Sequence, residues 1–278
     1  MTRPSGKARR FPDAREDLRH WRDAPDTPQT RSPSYRLAFS DADFLTREEL
    51  RPVRLQLELL KPEMALAERG ILSTVILLGS ARIPAPDSEA PAPPGLAAMS
   101  PNYEQARNFA NLTARRAMAT GNREFVVCTG GGPGIMEAGN RGAAEADGIS
   151  ISLNIVLPHE QEPNRWSTPE LAFNFHYFAI RKMHFLMRAR AIAVFPGGFG
   201  TLDELFEVLT LVQTGRMAPL PIVMFGRRFW EQVIDWQVLV DAGMISPGDP
   251  DLVTPVDTAE EAWEVIDAFP GFADRTTA

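Results

Sequence analysis

Two glycine-dense stretches are the places where this chain could do chemistry: "TGGGPGIME" at 129–137 and "PGGFGTLDE" at 196–204. Each follows an apolar run and opens an amphipathic one. Glycine at a strand-to-helix turn leaves backbone N–H groups uncovered at the positive end of a helix, a setting that suits phosphate. Tight turns also require glycine simply in order to turn. One such turn is explained by structure as readily as by a ligand; two in one sheet favour ligand binding. The acids behind the second turn have two readings. Thr201-x-x-Glu204 has the spacing of a capping box, with Thr201 as the cap and Glu204 reaching back to it. Alternatively, Glu204 lies one turn from a bound phosphate and faces the sugar attached to it.

A basic helix precedes the second turn and carries Arg181, Lys182, Arg188 and Arg190. An arginine can clamp a phosphate or carboxylate through two hydrogen bonds. For Arg188 and Arg190 a solvated helix face is the preferred reading. His184 reads as packed or exposed, whereas His159 and His176 lie in or near a long loop from which they could reach the site. Phe173, Phe175, Tyr177 and Phe178 alternate within that loop and read as core or as an oligomer contact, with one of them able to face a base.

Several chemistries find no pattern. The G-x-G-x-x-G fingerprint fails in both turns, because Ile135 and Asp203 stand where its last glycine would be, and no G-x-x-x-x-G-K-[ST] occurs. A mononucleotide or sugar phosphate is therefore expected rather than a dinucleotide or a P-loop triphosphate. No G-x-S-x-G elbow and no metal-ligand spacing is present, and Cys128, inside a strand, reads as inert core. No metal or other cofactor is expected.

The elements that must position these turns alternate along the chain. Strands are expected at 73–80, 124–132, 150–157, 191–198, 220–226 and 252–256. Helices are expected at 102–120, 134–146, 178–190, 201–215, around 229–243 and at 259–269. Strands alternating with helices predict an α/β fold with a central parallel sheet covered on both faces. In such sheets ligands bind beyond the carboxyl ends of the strands, where the glycine turns fall. Residues 1–35 carry few large apolar side chains and are expected to be a disordered arm. Residues 36–72 read as a helical extension and 73–272 as the nucleotide-binding domain.

Composition sets the outer bounds. The 278 residues are 44% hydrophobic and 23% charged, with a net charge of −7, which argues against a general nucleic-acid or membrane-surface binder. The single cysteine fits a reducing cytoplasm, and no apolar run is long enough to span a membrane. The basic N-terminus has no apolar core of a secretory signal.

"RK" followed by "PGGFGTLDE" resembles the R-K…P-G-G-x-G-T-x-x-E signature of the LONELY GUY (LOG) family, and "GSARIP" and "TGGGPGIMEAGNRGA" resemble its bacterial branch. The similarity runs from about Thr74 to Phe269. It implies a Rossmann-like three-layer sandwich with a central parallel sheet. It also implies a cytokinin riboside 5′-monophosphate phosphoribohydrolase activity, hydrolysis of the N-glycosidic bond of a nucleoside 5′-monophosphate to free base and ribose 5-phosphate. By the same resemblance Arg181 and Glu204 would be the catalytic pair. Ser80, Arg82, Gly131, Gly132, Met136, Lys182, Gly197, Gly198, Gly200 and Thr201 would bind substrate. A homodimer or higher homo-oligomer is implied. The older family label, lysine decarboxylase, fits poorly, since pyridoxal phosphate chemistry needs a Schiff-base lysine and lysines occur only at 7, 61 and 182. The extra N-terminal residues and the "LPHEQEPNRWSTPEL" segment depart from the short plant members, so a general purine or pyrimidine monophosphate is as good an expectation as a cytokinin precursor. The competing class is a non-catalytic nucleotide or molybdenum-cofactor carrier on the same scaffold. It would use the glycine turns but would have no need to keep both Arg181 and Glu204.

Overall fold

The computed structural model describes residues 11–158, 162–270 and 272. The chain divides into two compact units, Met1–Lys61 and Pro62–Ala278. This boundary falls within a helix, earlier than the 72/73 division read from the sequence. The first unit holds helix α1 (Ala14–Arg22), single turns of helix, and most of helix α2 (Arg51–Glu68). Helix α1 lies inside the segment read as a disordered arm. Its helicity has a local cause: Asp13 accepts from the N–H groups of Arg15 and Glu16, and Glu16 reaches back to complete a capping box. No residue of α1 is buried, and residues 1–10 lie outside the described residues.

The second unit is a seven-stranded, wholly parallel sheet: β1 (Thr74–Leu78), β2 (Val126–Thr129), β3 (Ser150–Ile155), β4 (Ala172–Phe175), β5 (Ala189–Val194), β6 (Ile222–Phe225) and β7 (Thr254–Val256). Their spatial order is β4-β3-β2-β1-β5-β6-β7. Helices α3 (Ser100–Ala119), α4 (Ile135–Glu145), α5 (Phe178–Met187), α6 (Phe199–Gln213), α7 (Arg227–Val233), α8 (Trp236–Asp241) and α9 (Ala259–Ala268) connect and follow them. The α/β reading with a parallel sheet is therefore observed.

Burial explains the composition of the strands. Every residue of β1 is buried, and its alternating side chains enter two different cores. Val75 and Leu77 join Phe109, Ala138 and Trp263 on the face covered by α3, α4 and α9. Ile76 and Leu78 join Phe185 and Leu205 on the face covered by α5 and α6. A strand buried on both sides has no polar face to show, so it reads as a continuous apolar run.

Two elements differ from the expectation. The aromatic stretch read as loop contains β4, where Phe173 and Phe175 are buried and Asn174 is exposed. The helix expected around 229–243 is two helices, because the chain is extended at Ile234 and Asp235 restarts it by accepting from Gln237 and Val238 N–H groups.

Candidate functional site

The sheet order reverses between β1 and β5, and the turns leaving both strands meet there. Phe195 N–H donates to Leu78 O at 2.8 Å and Ser80 N–H to Pro196 O at 3.1 Å. Above this switch point lies a cavity of about 1080 Å³. It opens at the carboxyl ends of the strands, where parallel sheets bind ligands.

Helix α6 begins earlier than the capping-box spacing predicts. Its cap is Gly198, and no side chain bonds the N–H groups of the first turn. Thr201 is the third residue of the helix and is buried against Gly197, where a Cβ would come within 2.1 Å of Thr201 Oγ1. Glu204 therefore stands one turn too deep to reach a cap. The helix start at Gly198, Gly200 and Thr201 faces the cavity instead, with the charge distribution that favours an anion.

Glu204 turns its carboxylate to Arg181, with Oε1 at 3.4 Å from Nη1. Arg181, on α5, is 8% exposed. Its Nε donates to Leu153 O at 2.7 Å, and its guanidinium lies over the Phe185 ring at 5.1 Å. Burial pushes the Glu204 carboxyl up to about 7; the neighbouring Arg181 charge opposes the shift without cancelling it, and Asp203 adds to it. A carboxyl that ionises near neutrality, held against a fixed cation inside a cavity, can both accept a proton and steady developing positive charge.

The first glycine turn is held by a buried amide network. Asn140, fully buried, accepts from Thr129 Oγ1 and Asn164 Nδ2, each at 2.8 Å, and donates to Ser150 Oγ at 2.8 Å. Asn164 also donates from its backbone to Gly131 O at 2.8 Å and from its side chain to Gly132 O at 3.0 Å. Gly131 has φ +73°, and a Cβ there would strike Asn154 Oδ1 at 2.4 Å. Only glycine satisfies both constraints.

Ser80, Arg82, Gly132, Met136, Arg181, Gly197, Gly198, Gly200, Thr201 and Glu204 all line the cavity. Two of the expected substrate contacts do not. Gly131 is turned toward Asn164 and Asn154. Lys182 points to the outer side of α6, where its Nζ lies 2.8 Å from Glu207 and 3.2 Å from Asp203, and those bonds hold its pKa above the usual value. The other cations are also engaged: Arg188 pairs with Glu63 (Nη2 to Oε2, 3.0 Å), and Arg190 donates to Phe272 O at 2.7 Å, so neither presents a merely solvated face. His184 is buried against Phe175 at 5.4 Å, and His159 lies outside the described residues. Burial pushes the Cys128 thiol up, as expected of core. Sequence reading passed over Asn154, Asn174 and Phe199, which also line the cavity. The alternation of Phe173 and Phe175 about it was the available signal for Asn174.

Three comparisons bear on this site. Residues 136–266 match the family model Lysine_decarbox, described as possible lysine decarboxylase. A rice (Oryza sativa subsp. japonica) protein named probable cytokinin riboside 5′-monophosphate phosphoribohydrolase LOGL3 is 27% identical over 35% of this chain and 47% of its own length. An Escherichia coli K12 protein named pyrimidine/purine nucleotide 5′-monophosphate nucleosidase is 33% identical over 41% of this chain and 27% of its own. The chain thus spans less than half the length of these relatives. Among solved structures, the molybdenum cofactor carrier protein of Chlamydomonas reinhardtii is 17% identical, with a TM-score of 0.44 over 73% of this chain and 98% of that one. The R-K and P-G-G-F-G-T-L-D-E residues both fall inside the matched segment. Over residues 136–266, then, the chain is similar to the Lysine_decarbox family, and the paired Arg181 and Glu204 lie within the matched stretch.

Proposed function

We propose that this protein hydrolyses the N-glycosidic bond of a nucleoside 5′-monophosphate, releasing free base and ribose 5-phosphate. The observation that carries the reading is the Arg181–Glu204 pair, 3.4 Å apart in the same cavity as the uncapped start of α6. The names of the rice and Escherichia coli relatives point the same way. Phosphate at Gly198–Thr201 brings the ribose over Glu204, one helical turn further in. Water attacks C1′, the bond from C1′ to the base nitrogen breaks, and the electron pair leaves with the base, which gains a proton. Ionised Glu204 deprotonates the water or stabilises the oxocarbenium-like charge. Arg181 remains protonated at neutral pH, so it holds substrate and offsets charge on the departing base.

A decarboxylase working through a Schiff base would need a lysine in the cavity. Among the described residues the one lysine near it, Lys182, is bonded to Glu207 and Asp203 on the far side of α6. Cytokinin riboside monophosphates are included among the substrates of this proposal, as are a cytoplasmic setting and a homo-oligomer. The exposed Phe199 and Phe206 on α6 support the last. No described helix is long and apolar enough to cross a membrane.

The test is incubation of the purified protein with AMP, GMP, CMP, UMP and a cytokinin riboside monophosphate, with chromatography for free base. Release that disappears in Glu204→Gln supports hydrolysis. Tight binding of a nucleotide with no release from any of them overturns it in favour of a carrier.

A further inference from the structure

The proposed reaction cuts between ribose and base, so a bound nucleotide must straddle the Arg181–Glu204 pair. Its phosphate end is the α6 start beside β5. A chain of contacts leads from the pair to the opposite end of the cavity. Arg181 donates from Nε to Leu153 O, the next residue is Asn154, and Asn154 pairs across the sheet with Asn174 on β4. Both asparagines line the cavity, together with Ile155, Phe173 and Phe178. Strands β3 and β4 lie three and four positions from β5 in the sheet, roughly 14 and 19 Å at the usual interstrand spacing. This end of the cavity is therefore separated from the phosphate end, and its lining is apolar apart from two carboxamides and the carboxylate of Glu162. That composition suits a flat heterocycle oriented by a few polar contacts.

The two carboxamides are not equivalent. Asn154 is partly committed: its Nδ2 donates to Phe173 O at 3.3 Å and its Oδ1 packs against Gly131. Asn174 sits at the exposed position of β4, between buried Phe173 and Phe175, and opens onto the cavity. We infer that Asn174, with Asn154 beside it, reads the hydrogen-bonding edge of the nucleobase and sets base preference. This inference rests on the nucleotide reading of the same site. A carboxamide presents a donor and an acceptor side by side, which matches adenine's amino group and adjacent ring nitrogen. A carboxylate presents acceptors only, which match the N1–H and 2-amino donors of guanine.

The experiment compares AMP with GMP on wild type, Asn174→Asp and Asn174→Ala, through kcat/KM for base release and through equilibrium binding. Asn174→Asp is expected to shift the AMP:GMP ratio toward GMP by about tenfold or more, the scale of one bidentate base contact. Asn174→Ala is expected to flatten the wild-type preference. A ratio unchanged within about twofold in both variants, with their melting temperatures intact, overturns the inference and leaves the hydrolase standing. A binding ratio that moves while no variant and no wild type releases base removes the hydrolase and keeps the base subsite. Wild type that binds neither nucleotide removes both.

Discussion

Gly130 and Arg181 occupy one space: a Cβ on residue 130 would lie 2.5 Å from Arg181 Nη2 and 2.7 Å from Met136 Sδ. The guanidinium is seated against bare backbone, and its approach to Glu204 depends on that seat. Gly130→Ala is expected to tilt Arg181 and lower kcat/KM by at least about tenfold, since small misplacements of a positioned group are costly. Far-UV circular dichroism should stay that of the folded protein. Wild-type turnover in Gly130→Ala would show that the seat is dispensable.

Glu204 governs the pH dependence of activity. Its carboxyl is pushed up to about 7, and the proposed mechanism uses the ionised form. The kcat/KM for base release should therefore climb as pH rises through about 7. Glu204→Gln should lose about 10²- to 10⁴-fold and show no inflection there. An inflection retained in the variant would belong to another group.

The same shift has a consequence for stability. The folded carboxyl keeps its proton above 4.5, the ordinary value, where the unfolded chain releases it. Its contribution is fully present below that pH and is lost as pH rises through about 7. The stability of wild type relative to Glu204→Gln should thus fall by up to about 3 kcal/mol between pH 4 and pH 8. Urea titrations of both proteins at the two pH values measure it; a difference independent of pH would contradict the burial argument.

Lys182 neighbours Arg181 in sequence but not in role. Its ammonium is held by Asp203 and Glu207 outside the cavity. Exposed pairs of this kind contribute about 0–1 kcal/mol, so Lys182→Ala should change kcat/KM by less than about fivefold. A loss comparable to that of Glu204→Gln would return Lys182 to the substrate.

Asn140 anchors the first glycine turn from below. Removing its amide leaves Thr129 Oγ1, Ser150 Oγ and Asn164 Nδ2 each short of a partner in a buried setting. Asn140→Ala should cost about 3 kcal/mol, read as a lower urea midpoint at unchanged slope. A midpoint within experimental scatter of wild type would mean that the network relaxes without strain.

The parallel sheet was legible because its interior strands are apolar on both faces: "STVILLGS" cannot be amphipathic when Val75 and Ile76 enter opposite cores. The edge strand β4 was harder to see, since two aromatics flanking one asparagine resemble a sticky loop until Phe173 and Phe175 are found buried. The glycine turns announced the cavity, but local spacing left the role of Glu204 open between a cap and the site. Thr201-x-x-Glu204 fits a capping box, yet three flexible residues before it let the helix begin at Phe199. Tertiary contact then claimed Glu204 for Arg181. The orientation of Lys182 and Gly131 depended on partners distant in sequence, Glu207 and Asn164, which no local pattern announces.

The strand order also bears on how the chain reaches its native state. Central strand β1 pairs on one side with β2 and on the other with β5, Ile76 meeting both Cys128 and Ile192. The second pairing encloses α3, α4 and α5, so a large loop must close before the two halves of the sheet share hydrogen bonds. The cavity lies on that seam. An early species holding β1 to β4 and α5 would possess the first glycine turn and Arg181 but neither Glu204 nor the anion-binding helix start, so competence to bind phosphate should arrive late and together with the last docking event.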